Sequence, residues 1–314
     1  MNKIRLTLTA VLVAVLMVSC NKEDNPIAPD STSTEVDDLL GMLKHRGIIS
    51  TQSFDIYSID VKTSKIRQIS SISNADEFDP NWSPNGKKIA HDVVGGPAAL
   101  GHAIFITSVK TGQSSPLQGA EGGNDASWSP NGRLIAFDNA PVSDPPNIYV
   151  VRASGGSRRL IRAGGLSLDW SPDGKRLVFM DREDDVVKTI SLKDGTETTV
   201  FSGLPSGSEA DSPVWSPHGK WIAFSVVESN GIWKVRVDKA GNPVGNPIQV
   251  TSGEHFKPSW SKNSKKIAFH ADGDIWTVSA SGGTPTRLTN SAEDDFDPSF
   301  AKRRRLIAFA SFTP

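Results

Sequence analysis

A polar turn followed by an apolar run of three residues recurs six times along this chain. The clearest copy is Trp170-Ser-Pro-Asp-Gly-Lys-Arg-Leu-Val-Phe179, and others start at Trp82, Trp128 and Trp215. Trp260-Ser-Lys-Asn-Ser-Lys-Lys-Ile-Ala-Phe269 and Phe300-Ala-Lys-Arg-Arg-Arg-Leu-Ile-Ala-Phe309 are decayed copies. The aromatic residue closes one predicted strand. Pro presets φ and Gly accepts positive φ in the turn, and the apolar triplet opens a buried strand. First positions at 82, 128, 170, 215, 260 and 300 give spacings of 46, 42, 45, 45 and 40. A period in that range with β-type turns predicts a propeller-like array.

Between phrases the same pieces return. The apolar run is strand B. An Ile-aromatic pair marks strand C at Ile56, Ile104, Ile148, Ile232 and Ile275, with Val187-Lys188 as the exception. A strand D follows a short polar turn, as at Thr111-Gly112 and Asp194-Gly195, and a strand A leads back to the next phrase. The prediction is an all-β, six-bladed β-propeller with four antiparallel strands per blade. Strands C and D precede the first strand A, so the N- and C-terminal segments are expected to share one blade and close the ring. Gly47–Ser50 and Leu306–Ser311 both suit its strand B.

The repeated Trp-Ser-Pro-(Asp/Asn)-Gly-Lys-x-Ile-Ala-Phe resembles the TolB-like, WD40-like (PD40-type) propeller repeat over about residues 46–312. The family's namesake carries an α/β domain ahead of its propeller, for which the stretch 21–44 is too short. The resemblance implies a propeller at the bacterial envelope and leaves its ligand open.

Composition adds the setting. The sole cysteine, Cys20, follows a basic start (Lys3, Arg5) and an apolar run from Leu6 to Val18. That run is too short to cross a bilayer and reads as a signal peptide over 1–20. Ser19-Cys20 resembles a lipobox, so Cys20 is expected to carry the lipid (palmitate among its acyl chains) that anchors the protein to the outer membrane. Residues 21–44 read as a flexible Pro/Ser/Thr-rich tether and 45–314 as the propeller. Asn21-Lys-Glu-Asp24 resembles a surface-export signal.

The formal net charge of −1 hides a polarity. Strand order places the A–B and C–D turns on one face, called the bottom, and the B–C and D–A loops on the other, the top. The bottom turns are basic, as at Lys87-Lys88, Lys265-Lys266 and Lys302-Arg-Arg-Arg305. The top loops are acidic. Long loops on a rigid scaffold are where binding concentrates. Asp76, Glu77, Asp79, Asp125, Asp211, His255, Asp294, Asp295 and Asp297 are therefore the candidate binding residues. Their mutual repulsion calls for a cation or a partner's Lys or Arg. Oxygen ligands of this kind suit Ca²⁺, with Asp79, Asp295 and Asp297 as the candidate site. If Gly47–Ser50 is the closing strand B, the chain reaches the propeller from the bottom and its basic face lies toward the membrane.

No catalytic motif is present. A Gly-x-Ser-x-Gly elbow is missing, and Ser171-Pro-Asp173-Gly174 is not a sialidase box. His91, His102, His255 and His270 could approach the top face. Trp82, Trp128, Trp170, Trp215, Trp260 and Phe300 are assigned to inter-blade packing, and Trp221 is the one candidate for sugar stacking. The expected function is a monomeric, non-catalytic binding scaffold for an envelope protein or glycan, without nucleic acid. The alternative is a glycan-binding or polysaccharide-lyase-type propeller.

Overall fold

Each polar turn is braced by its own side chains. In the computed structural model, Ser83 Oγ accepts the Lys88 N–H at 2.9 Å and Asn85 Oδ1 accepts the Lys87 N–H at 2.9 Å. The same contacts recur at Ser129 with Asn131 and at Ser171 with Asp173. The turn glycines Gly86, Gly132, Gly174 and Gly219 take φ of 67°, 69°, 70° and 71°, where a side chain would be strained. Residues 53–95, 101–139, 145–202, 210–227, 231–303 and 305–312 are described.

Within them the strands form six four-stranded antiparallel sheets. The chain opens with β1 (Phe54–Asp60) and β2 (Ile66–Ser70). The first blade is β3 (Ala75–Trp82), β4 (Lys88–Gly95), β5 (His102–Ser108) and β6 (Ser114–Glu121). The second is β7 (Asn124–Trp128), β8 (Leu134–Asp138), β9 (Asn147–Arg152) and β10 (Arg159–Ala163), and the third β11 (Gly165–Trp170), β12 (Arg176–Asp181), β13 (Val186–Ser191) and β14 (Glu197–Phe201). The fourth is β15 (Ala210–Trp215), β16 (Trp221–Val226), β17 (Gly231–Arg236) and β18 (Ile248–Gln249), and the fifth β19 (Phe256–Trp260), β20 (Lys266–Ala271), β21 (Asp274–Ser279) and β22 (Thr286–Arg287). Finally β23 (Asp295–Phe300) and β24 (Leu306–Phe312) join the first two strands in the order β2-β1-β24-β23.

The ring closes as predicted, and β24 supplies the strand B that the sequence left open. Its register runs from Phe54↔Phe312 to Asp60↔Leu306. Gly47–Ser50 lies outside the described residues. Because β1 is a strand C, Phe54 stands at the top face. The premise for an arrival from the bottom, Gly47–Ser50 as the closing strand B, is therefore not met.

Strand B is apolar on both sides because each blade is covered by its two neighbours. Ile89, Ile135, Leu177, Ile222, Ile267 and Ile307 are fully buried. The repeated aromatic of strand A also lies in the inter-blade core. Trp82 Nε1 donates to the Ser299 carbonyl at 3.1 Å, across the closure, and Trp170 Nε1 and Trp260 Nε1 donate to Ser127 and Val214. In return the residue before one aromatic receives the next aromatic's N–H: Asn81 from Trp128, Asp169 from Trp215 and Ser259 from Phe300. Such bonds are worth about 1 kcal/mol each, and more when the acceptor is charged. They fix the blades around the axis.

A carboxylate ring at the axial channel

Every strand A carries a bulge at the same place. The register with strand B shifts between Phe78 and Asn81, and at the equivalent positions in β7, β11, β15, β19 and β23. The residue three before the aromatic is left-handed in all six blades. Asp79, Asp125, Ser167, Ser212, Lys257 and Asp297 have φ of 47°, 49°, 49°, 50°, 51° and 53°. A non-glycine residue there costs roughly 1–2 kcal/mol, and Asp tolerates it better than most. The bulge turns these side chains toward the axis. They line a channel of about 100 Å³.

The strain is shared with the preceding blade. Asp92 Oδ2 accepts the Asp125 N–H at 2.9 Å, Asp138 Oδ2 that of Ser167 at 2.8 Å and His270 Nδ1 that of Asp297 at 3.2 Å.

Within the ring, Lys257 Nζ lies 2.7 Å from Asp79 Oδ1 and 2.8 Å from Asp125 Oδ1. The Ser167 hydroxyl stands 3.2 Å from Asp125 and 3.0 Å from Asp211, so its one proton can serve either. Burial, and then the charge of Asp297, pushes Asp79 up to about 6. Burial, and then Asp79, does the same to Asp125, again to about 6. Burial raises Asp297 and, well above the usual range, Asp92. Burial opposes the charge on Lys257, but the fields of Asp125, Asp79, Asp297 and Asp211 overcome it and hold the ammonium well above its ordinary value.

The expected site residues therefore divide. Asp79, Asp125 and Asp297 line the channel, and Asp211 joins them through Ser167. Asp76 accepts the Phe54 N–H, and buried Glu77 bonds Ser70 and the Ile72 N–H. His255 stacks on Phe269 and pairs with Thr251. Asp294 is exposed, and Asp295 is buried with Ser291 Oγ on its carboxylate. The Ca²⁺ expectation does not fit this geometry. Asp295 does not line the channel shared by Asp79 and Asp297, and Lys257 already places a cation on Asp79. Among the described residues no group of three His, Cys, Asp or Glu could hold a metal. The histidines are dispersed, with His91 fully buried, His102 in β5 and His270 capping Asp297. Trp221 is half-buried beneath the Lys234 ammonium, 4.5 Å above its ring, and does not offer the open face expected of it. Cys20 lies outside the described residues.

The sequence reading missed Lys257, the only cation of the ring. Aligning the six phrases on their aromatic and reading the column three residues earlier would have found it.

Fold and channel define a six-bladed propeller whose strands A present one polar residue per blade to the axis. Residues 49–264 match the family described as TolB beta propeller domain (PD40), and the chain belongs to that family. It is 30% identical over 236 residues to an uncharacterized protein of Agrobacterium fabrum, covering 71% of this chain and 75% of that one. It is 28% identical over 231 residues to the Tol-Pal system protein TolB of Bordetella pertussis, of which it spans 51%. A solved TolB-like structure from Agrobacterium tumefaciens superposes with a TM-score of 0.69 at 21% identity, covering 84% of this chain and 100% of the other, which shows the shared fold.

Proposed function

We propose that this protein is a non-catalytic scaffold of the bacterial envelope, anchored through Cys20, that receives a basic group of an envelope protein at the top of its channel. The observation that carries this reading is an imbalance of charge. One ammonium, Lys257, faces Asp79, Asp125 and Asp297, with Asp211 beside them. Repulsion left in such a cluster is relieved by a Lys, Arg or amine from outside. The match to TolB supports a binding scaffold in general terms, over the propeller portion of that protein. The outer-membrane location rests on the lipobox resemblance at Ser19-Cys20 and on envelope kinship with TolB.

The test uses the full chain beside a variant carrying Asp79→Asn, Asp125→Asn and Asp297→Asn. Binding of a fluorescent penta-lysine peptide and recovery of partners from envelope extracts are measured together. Loss of both is expected in a variant that keeps the parent's far-UV circular dichroism and so its fold. A variant that retains the peptide and every partner would place the site elsewhere.

A further inference from the structure

The bottom turns of the first four blades pack against one another. A β-carbon built on Gly132 would lie 3.6 Å from the Pro84 ring, one on Gly174 3.7 Å from Pro130 and one on Gly219 3.8 Å from Pro172. The next two phrases abandon this contact. Proline gives way to Lys262 and Lys302, and glycine to Ser264 and Arg304. Ser264 keeps the left-handed turn, with φ of 55°.

Where the contact stops, a cavity of about 1030 Å³ opens on the bottom between the fifth and sixth blades. Lys62, Lys262, Lys265, Lys266, Arg303 and Arg305 line it, and Val61, Phe300 and Leu306 supply apolar wall. The single acid of the lining, Asp60, is taken up by the N–H groups of Lys62 and Thr63 at 2.9 and 3.0 Å. Among the described residues none of the six bases joins an ion pair, although Arg162, Lys188, Lys257 and Arg287 do. Unpaired like charges around one concavity repel one another and focus a positive potential into it. Guanidinium and ammonium groups together match phosphate oxygens.

We propose that this cavity is an anion-binding site for a ligand bearing two or more phosphate groups on an apolar body. The phosphates meet the lysines and arginines, and the apolar body lies on Val61, Phe300 and Leu306. The site is distinct from the acidic channel, which opens on strand A at the axis. Two sources carry this chemistry, a soluble organic phosphate and a phosphorylated lipid headgroup.

Calorimetry on the full chain with inorganic pyrophosphate at low salt tests it. One pyrophosphate per chain is expected, with affinity falling steeply as salt rises. A Lys262→Glu/Arg305→Glu variant should lose at least about tenfold in affinity, since each lost phosphate contact weakens binding severalfold. Lys62→Glu, beside Arg305 on the sixth blade, provides a second variant. Lys110→Glu and Lys193→Glu, exposed on other bottom turns, should bind as the parent does. Absence of uptake by the parent, or equal loss in the Lys110 and Lys193 variants, overturns the proposal. Retention on vesicles containing cardiolipin, a lipid with two phosphates per molecule, that pyrophosphate displaces assigns the site to a lipid headgroup. Uptake of pyrophosphate without such retention assigns it to a soluble phosphate.

Discussion

Lys257, on the fifth blade, sends its ammonium across the axis to within 2.8 Å of Asp125 on the second, the blade directly opposite. A side chain from one blade thus neutralises acids from two others, and the channel mouth is tied together by charge as well as by the sheets. Asp79, Asp125, Asp297 and Lys257 are 19, 16, 13 and 24% exposed, so water screens part of this interaction. Lys257→Met should cost about 1–3 kcal/mol near neutral pH, less than a fully buried pair because of that exposure. The folded-state pKa values of Asp79 and Asp125 lie above the ordinary 3.8, so the folded chain gains protons, and stability, as pH falls through about 6. Without Lys257 those values rise further. The deficit of the variant should therefore shrink between about pH 8 and pH 5, as followed by urea unfolding.

Binding at the same mouth should show the opposite trend. Protonating Asp79 and Asp125 below about 6 removes the charge that attracts a basic partner, while Lys257 stays charged throughout. Affinity for the penta-lysine peptide is expected to fall at least severalfold from about pH 7.5 to pH 5. Peptide affinity that is flat with pH would argue that other acids of the top face carry the binding.

The blades were legible because the aromatic, the turn and the Ile-Ala-Phe run keep the same residue types in nearly every copy. The axial ring was not, because its six members are Asp, Asp, Ser, Ser, Lys and Asp. Strand alternation also misleads here. Asp295 and Asp297 stand two apart and should share a face. The bulge at Asp297 turns that residue to the channel and leaves Asp295 against Ser291. Glu77 and Asp79 part in the same way. A sequence reading that counted acids in loops could gather these residues but not sort them.

Five residues before the aromatic, the second and third blades carry Gly123 and Gly165. A β-carbon on Gly165 would lie 2.8 Å from Ile148 Cδ1 and 2.9 Å from Phe179 Cδ2. Gly165→Ala should therefore destabilise the protein by about 1–3 kcal/mol through overpacking. Ala210 holds this place in the fourth blade, so the backbone itself accepts a side chain. The cost should fall, but not vanish because Ile148 still approaches the methyl, when Phe179→Leu is present, a coupling that a double-mutant cycle of unfolding free energies would reveal. Simple addition of the two costs would show that Phe179 is not what excludes the methyl.

The first blade solves the same crowding with different chemistry. Glu77 stands where the next blades have glycine, and His91 stands where they have Phe137 and Phe179. Both are fully buried, with His91 Nδ1 3.3 Å from Glu77 Oε2. His91 Nε2 lies 2.7 Å from Thr107 Oγ1, which lies 2.6 Å from Ser114 Oγ. Burial lowers His91 to about 3 and raises Glu77 to about 7, so each is held toward its neutral form. Because the folded pKa of Glu77 exceeds its ordinary 4.5, the folded state binds the extra proton between about 4.5 and 7. The residue's contribution to stability therefore declines as pH rises through that window, and the penalty of a buried carboxylate is complete above it. Glu77→Gln removes the titration, and the Ser70 hydroxyl can turn to accept from the new amide. The variant should match the parent near pH 5 and exceed it by on the order of 1–3 kcal/mol near pH 8. Unfolding free energies at the two pH values check this, and a variant that is weaker at both would mean that ionised Glu77 is a partner the blade needs.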